Sequence, residues 1–172
     1  IRADSSDQLM NLLRKSIIEV ALIRTPLHIN PIFQSFGGIE ENFMAVYHKN
    51  NPWLPQDVES ISINQLRNVP LSISHGFKER VQQMFNEAGF EPKILSVNAS
   101  RTTTLMWTRL GKAVGLVTTS SFKNLEITPT IICRPITGIN TIAQRSFVIL
   151  KNANLSSVTK SFINFATDKT IF

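Results

Sequence analysis

The sequence predicts an α/β protein of two half-sized lobes joined by two strands that cross between them. Three observations carry this. Residues 93–118, KILSVNASRTTTLMWTRLGKAVGLVT, read as strand, helix, strand, with two aliphatic and β-branched runs flanking a segment long enough for about three helical turns. A strand over 69–73 and a helix over 75–88 stand in front of it, giving β-α-β-α-β up to residue 118 with short loops. A separate helix runs into an apolar strand within residues 5–24, opening another lobe. Lobe one takes 1–48 plus 146–172, and lobe two takes 49–145. The strand ahead of the first helix is mostly absent, so the chain reads as a fragment lacking the first βα unit of lobe one.

In chain order, Ser5 or Ser6 caps the first helix and Asp7 suits its positive dipole end. Leu9, Leu12 and Leu13 form one stripe, and Arg14 and Lys15 fall in the last turn. Residues 17–24, IIEVALIR, are apolar except for one Glu, the pattern of a central parallel strand, and Thr25-Pro26 stops them. Residues 32–36 suggest an edge strand closed by Gly37-Gly38. Residues 42–48 form a strand ended by the polar turn KNNP. Residues 53–61 read as loop, with Ser62 and Asn64 as caps of a short helix through Leu66. The 75–88 helix carries Phe77, Val81, Met84, Phe85 and Ala88 at helical spacing and ends at Gly89. The helix from Ser100 to Leu110 draws apolar faces from Leu105, Met106, Trp107 and Leu110, and Gly111 follows where a left-handed residue is wanted. Strand 93–97 and strand 113–118 then form a parallel pair, since a crossover helix joins them. Beyond it come a strand over 127–134, an irregular stretch over 135–141 and a strand over 145–150. Ser156 caps a last helix with Val158, Phe162, Ile163 and Phe165 on one side.

Composition excludes several functions. The net charge is +6, yet the basic residues are scattered with no cluster of four, unlike the concentrated footprint that phosphate backbones require. No run approaches about 18 consecutive apolar residues, and Arg2, Asp4 and the amphipathic segment after them are not signal-like. The one cysteine, Cys133, excludes an internal disulfide and a multi-cysteine metal site; within the apolar run TIIC it reads as a buried thiol. A reducing, cytoplasmic setting fits, and the sequons at Asn98 and Asn154 then read as chance. None of the phosphate-loop, zinc-protease, nucleophile-elbow or CxxC signatures is present. His28, His48 and His75 lack ligand spacing, and adjacent Glu40-Glu41 point to opposite faces of a strand. No catalysis, metal or cofactor is expected.

What remains is a set of short polar groups at strand-to-helix junctions: Ser6 with Ser5, then Ser74-His75-Gly76, then Asn98-Ala99-Ser100. The loop 98–100 stands at the carboxyl end of a strand and the amino end of a helix, where open α/β sheets bind ligands. Helix starts expose backbone N–H groups and partial positive charge, which suits an anion. Arg24, beside Thr25 at a strand end, and Arg101, in a first helical turn where cations are disfavoured, read as anion clamps if they face a cleft between the lobes. The plainer reading is that each serine is a cap and each arginine is solvated. Three such junctions together favour a small anionic ligand.

The same stretches resemble a family. LMNLLRKSIIEVALIRTP resembles the helix and following D-L-A-I-R segment of the effector-binding domain of LysR-type transcriptional regulators. MAVYHKNNPW is similar to their strand and turn ending in H-P-L, and ISINQLRNVPLSIS to their lead into the second lobe. FNEAGFEPKILSVNASRTTTLMWTRLGKAVGLVTTS resembles their A-G-F-x-P segment, helix and G-x-G strand. The likeness runs in order over about residues 9–121. Departures are Glu19 for Asp, Asn51 for His before Pro52, Trp53 for Leu, Ala113 for the second Gly and Thr118 for Pro.

The resemblance implies two Rossmann-like lobes of the type 2 periplasmic-binding-protein kind, without the family's N-terminal winged helix-turn-helix. It implies a small, commonly carboxylated effector held between the lobes by Ser6, Arg24, Ser74, His75, Ser100 and Arg101. Effector binding then biases homodimer and tetramer geometry, and so DNA contact by a domain outside this chain. Throwing such a switch takes on the order of 5 kcal/mol of differential binding. The helices over 77–88 and 9–13 are implied as dimer surfaces, with pure core as the other reading of both. A free-standing solute-binding protein and a small α/β enzyme are the alternatives.

Overall fold

The pattern SDQLMNLLR forms α1 (Ser6–Arg14), with Asp7 in its first turn and Arg14 in its last. This computed structural model describes residues 6–24, 29–119 and 128–167, so Ser5, Thr25, His28 and Ser120-Ser121 lie outside the described residues. The chain divides into unit 1, Ile1–Glu40 with Gln144–Phe172, and unit 2, Glu41–Ala143. It passes from one to the other within β2 (Phe33–His48) and again within β8 (Ile142–Leu150).

In unit 1 the exit of α1 overrules the apolar run that follows. Ser16 takes φ +52°, its N–H bonds the Leu13 carbonyl at 2.9 Å, and the Ile17 N–H bonds the Leu12 carbonyl at 2.9 Å. This Schellman closure consumes the residues that would have begun the strand. The expected strand over 17–24 shrinks to β1 (Ala21–Arg24), and Ile17 is 58% exposed. β1 is also antiparallel to β8 rather than parallel and central. The order in this unit is β1-β8-β2. Leu13, Ala21, Ile23, Phe33 and Val148 form its main core. The strands expected over 32–36 and 42–48 are one strand, β2, because Gly37 takes a left-handed φ of +64° inside it instead of ending it.

The last helix, α4 (Ser157–Thr167), starts as expected: Ser156 Oγ accepts the Thr159 N–H at 3.3 Å. Glu19, which stands where the resembling family has Asp, adds to that cap by accepting from the Ser156 N–H at 3.2 Å and Oγ at 2.7 Å. Of the apolar side predicted for this helix only Ile163 is buried; Val158, Phe162 and Phe165 are exposed.

Unit 2 runs β3 (Ile61–Ser62), a 3-10 turn, β4 (Leu71–Ser74), α2 (Lys78–Glu87), β5 (Ile94–Asn98), α3 (Arg101–Arg109), β6 (Val114–Thr118) and β7 (Ile131–Thr137). Ser62 and Gln65 make a reciprocal capping box on the 3-10 turn. The expected 75–88 helix is a 3-10 turn over His75–Phe77 leading into α2. Gly89 (φ +82°) and Gly111 (φ +65°) close α2 and α3 in left-handed geometry, as their positions required. β4 lies between β5 and β6 and is parallel to both. The crossover helix α3 therefore spans β4 instead of joining neighbours, which corrects the expected β5–β6 pair. β6 continues antiparallel onto β2, whose other edge takes β7, and β7 pairs in parallel with β3. β7 runs through Pro135, which stands opposite Met44, so the stretch expected to be irregular begins as strand. The expected start of that strand at residue 127 lies outside the described residues.

The core of unit 2 forms where the 3-10 turn lays Phe77, and α2 lays Val81, Met84 and Phe85, among Phe43, Leu71, Ile73 and Leu116. Phe43 and Phe77 meet edge to face at 5.0 Å. Asn51, departing from the resembling family's His, organises the next loop: its Oδ1 accepts from the Trp53 and Leu54 amides and its Nδ2 donates to the His48 and Leu54 carbonyls. Arg134 ties the same loop to β7 by donating to the Val58 and Gln56 carbonyls.

α3 contradicts its hydrophobic pattern. Leu105 is buried, but beside it lie Thr104 and Thr108, while Met106, Trp107 and Leu110 are 54%, 36% and 66% exposed. The surface beneath α3 explains this, because β4 and β5 present Ser72, Ser74 and Asn98 there.

Candidate functional site

The parallel strands β5, β4 and β6 end at one edge of unit 2, in Asn98, Ser74 and Thr118, all less than a tenth exposed. Ser74 stands opposite Asn98 in the strand register. Each of β4 and β5 leads directly into a helical segment, so two first turns of backbone N–H groups open at that edge. Ser100 is extended (φ −131°, ψ 157°), and its Oγ accepts the Thr103 N–H at 3.2 Å, a side-chain cap. Ser74 is also extended but makes no cap; its hydroxyl lies 3.4 Å from Thr104 Oγ1. His75, Ser100 and Arg101 are exposed. The arrangement gathers first-turn amides and hydroxyls at one edge, with exposed Arg101 as the first residue of α3, which is chemistry for an anion.

Asn98 is occupied by the protein itself. Its Nδ2 lies 3.0 Å from Ser72 Oγ, 3.1 Å from the Ile73 carbonyl, 3.2 Å from Ser96 Oγ and 3.4 Å from Thr104 Oγ1. Ser72 and Ser96 hydroxyls are 2.8 Å apart. Asn98 therefore braces β4 against β5.

The structure brings Ser74, His75, Asn98, Ser100 and Arg101 together in unit 2. Ser6, half-buried, is the first residue of α1 in unit 1, and Arg24 ends β1 opposite Arg145 in the strand register. A hollow of about 130 Å³ in unit 1, lined by Leu22, Gly37, Gly38, Arg145, Phe147, Ala166 and Thr167, is smaller than ordinary ligand pockets. Among the described residues no group of His, Cys, Asp and Glu could hold a metal, and no helix is long and apolar enough to cross a membrane. Burial pushes the Cys133 thiol up to about 12, with Arg134 opposing.

Sequence reasoning missed Ser72, Ser96 and Thr104, and it noted Thr118 only as a departure. A signal existed. Ser72-x-Ser74 and Ser96-x-Asn98 place polar groups at the two-residue spacing of one strand face. Thr104 and Thr108 match that face at helical spacing.

The LysR substrate binding domain family model matches residues 1–170. By sequence, none of the curated proteins matches. Among solved structures, the effector binding domain of QuiR in complex with shikimate is 15% identical, with a TM-score of 0.83 over 96% of this chain and 78% of that one. The C-terminal domain of a probable LysR family transcriptional regulator from Rhodococcus sp. RHA1 is 20% identical, with a TM-score of 0.81 over 96% and 82%. CbnR, a LysR family transcriptional regulator, is 20% identical, with a TM-score of 0.73 over 95% of this chain and 57% of CbnR. The chain thus spans little more than half of that regulator. These likenesses give the fold, the type 2 periplasmic-binding-protein-like arrangement. With its family model matched over nearly its whole length, the chain belongs to the LysR substrate-binding-domain family.

Proposed function

We propose that residues 1–172 sense a small anionic effector for a LysR-type transcriptional regulator and catalyse no reaction themselves. One observation carries the reading: in a chain of this family, two helix starts, at Ser74-His75 and Ser100-Arg101, open side by side at the carboxyl ends of adjacent parallel strands. Supporting it, one structure of this fold is an effector binding domain in complex with shikimate, and another is full-length CbnR complexed with target DNA. In unit 2, Ser100 and Arg101 hold the anionic group, with His75 and the amides after Ser74 beside them. Effector binding shifts the population between arrangements of a homodimer or tetramer, and DNA is contacted by a domain outside residues 1–172.

Calorimetric titration with a panel of small carboxylates, amino acids and phosphorylated metabolites tests this. Arg101→Ala and Ser100→Ala each weaken the affinity of a hit by about tenfold or more, the loss of one charge-assisted or capping contact. Affinity left untouched by both substitutions refutes the site.

A further inference from the structure

We infer that Thr104 is a positioning residue that locks the two helix-start loops of unit 2 into one body. Its hydroxyl donates to the Ser100 carbonyl at 3.2 Å, which uses its single proton. Its two lone pairs then face Asn98 Nδ2 and Ser74 Oγ, each at 3.4 Å, so Ser74 is the donor in that pair. One oxygen, fully buried, thereby bridges the loop after β5, the end of β5 and the end of β4. Asn98 carries the bridge further onto β4, to Ser72 Oγ and the Ile73 carbonyl.

The close seat of α3 makes this reach available. Gly115 on β6 lies under α3, and a Cβ there would meet Thr108 Oγ1 at 2.6 Å and Thr104 Cγ2 at 3.8 Å. An apolar residue at 104 would take the Thr104 oxygen from the Ser74 hydroxyl and from Asn98 Nδ2, and would leave Asn98 with only its Ser72, Ile73 and Ser96 contacts. The two 3.4 Å contacts are long and individually weak. The bridge works by joining three backbone segments, and through it the 98–101 loop and the 74–77 loop open and close together. Resting on the effector-site reading above, an effector that engages one loop pre-orders the other.

Amide hydrogen exchange on the ligand-free 172-residue chain tests the lock without needing that reading. Two hydrogen-bonded amides report on the loops: Lys78, bonded to the His75 carbonyl, and Thr104, bonded to the Ser100 carbonyl at 3.2 Å. Thr104→Val removes the oxygen and keeps the amide. Both amides then exchange about fivefold faster, the effect of losing a neutral buried hydrogen bond. Leu71, whose N–H bonds the Lys93 carbonyl at 2.9 Å, stays unchanged. Thr104→Ser restores both rates. Ser74→Ala combined with Thr104→Val is no faster at Lys78 than Thr104→Val alone, because both cut one link. The lock is overturned if only the Thr104 amide accelerates, if Leu71 accelerates by the same factor, if Thr104→Ser fails to restore both rates, or if the double variant is additive. Failure of the effector reading would appear separately, in titrations, with these rates intact.

Discussion

Adding one methyl group at Gly115 tests how closely α3 is seated on β6. The glycine has no left-handed requirement, so Gly115→Ala meets no backbone strain. The new Cβ would stand 2.6 Å from Thr108 Oγ1, inside the 3.0 Å that real Cβ contacts keep. Thr108 is 1% exposed, and its hydroxyl donates to the Thr104 carbonyl at 3.5 Å. It must rotate and lose that bond, or α3 must lift off β6 and draw Leu105 away from Val46 and Val117. Overpacking of this kind costs about 1–3 kcal/mol. Restricting the unfolded chain returns about 0.4–1 kcal/mol. The net loss of about 1–2 kcal/mol lowers Tm by about 2–8 °C for a chain of this size. Urea unfolding followed by tryptophan fluorescence reads it, since Trp107 lies on α3 itself. In Gly115→Ala with Thr108→Ala the offending oxygen is gone, so the double variant loses less than the two single losses added together. A Gly115→Ala protein as stable as the parent, or an additive pair, would refute the close seat.

Other expectations follow from single contacts. Asn98→Leu keeps the shape but removes the carboxamide's hydrogen bonds to Ser72 Oγ and the Ile73 carbonyl, and lowers stability by about 1–3 kcal/mol in the same urea assay. Cys133, with its thiol pushed up to about 12, is labelled by a disulfide reagent at about pH 8 roughly a thousandfold more slowly than an ordinary thiol, until urea unfolds the chain. Hydrogen bonds from Thr159 and Ser156 hold the Glu19 carboxyl below its ordinary 4.5. Its support of the α4 start is therefore complete above about pH 4.5 and is lost as pH falls through the lower folded value. The Ser156 amide shift then titrates with a midpoint below 4.5, and Glu19→Gln abolishes that titration.

Helix ends were the most legible part of the sequence. Ser62, Ser100 and Ser156 cap, and Gly89 and Gly111 close, because each end is settled by residues within about one turn of it. The unit 2 junctions could be placed for the same reason, and with them the position of the proposed site. The exit of α1 was misread because Ser16, not a glycine, takes the left-handed position. Gly37 misled in the opposite sense, since pairing partners carry β2 through it. The inward face of α3 could not be read at all: Met106 and Leu110 are as apolar as Leu105, yet they face out.

By itself, then, the sequence determined most of the succession of strands and helices, the family, and the loops where polar groups gather. Only the tertiary structure decided that β4 separates β5 from β6, that threonines rather than Met106 and Leu110 face the sheet, and that Asn98 and Thr104 bind the loops from beneath. The physical reason is range. A cap is satisfied by its own neighbours in the chain, whereas a buried hydroxyl has value only when a partner about thirty residues away, as Ser74 is from Thr104, arrives to bond it.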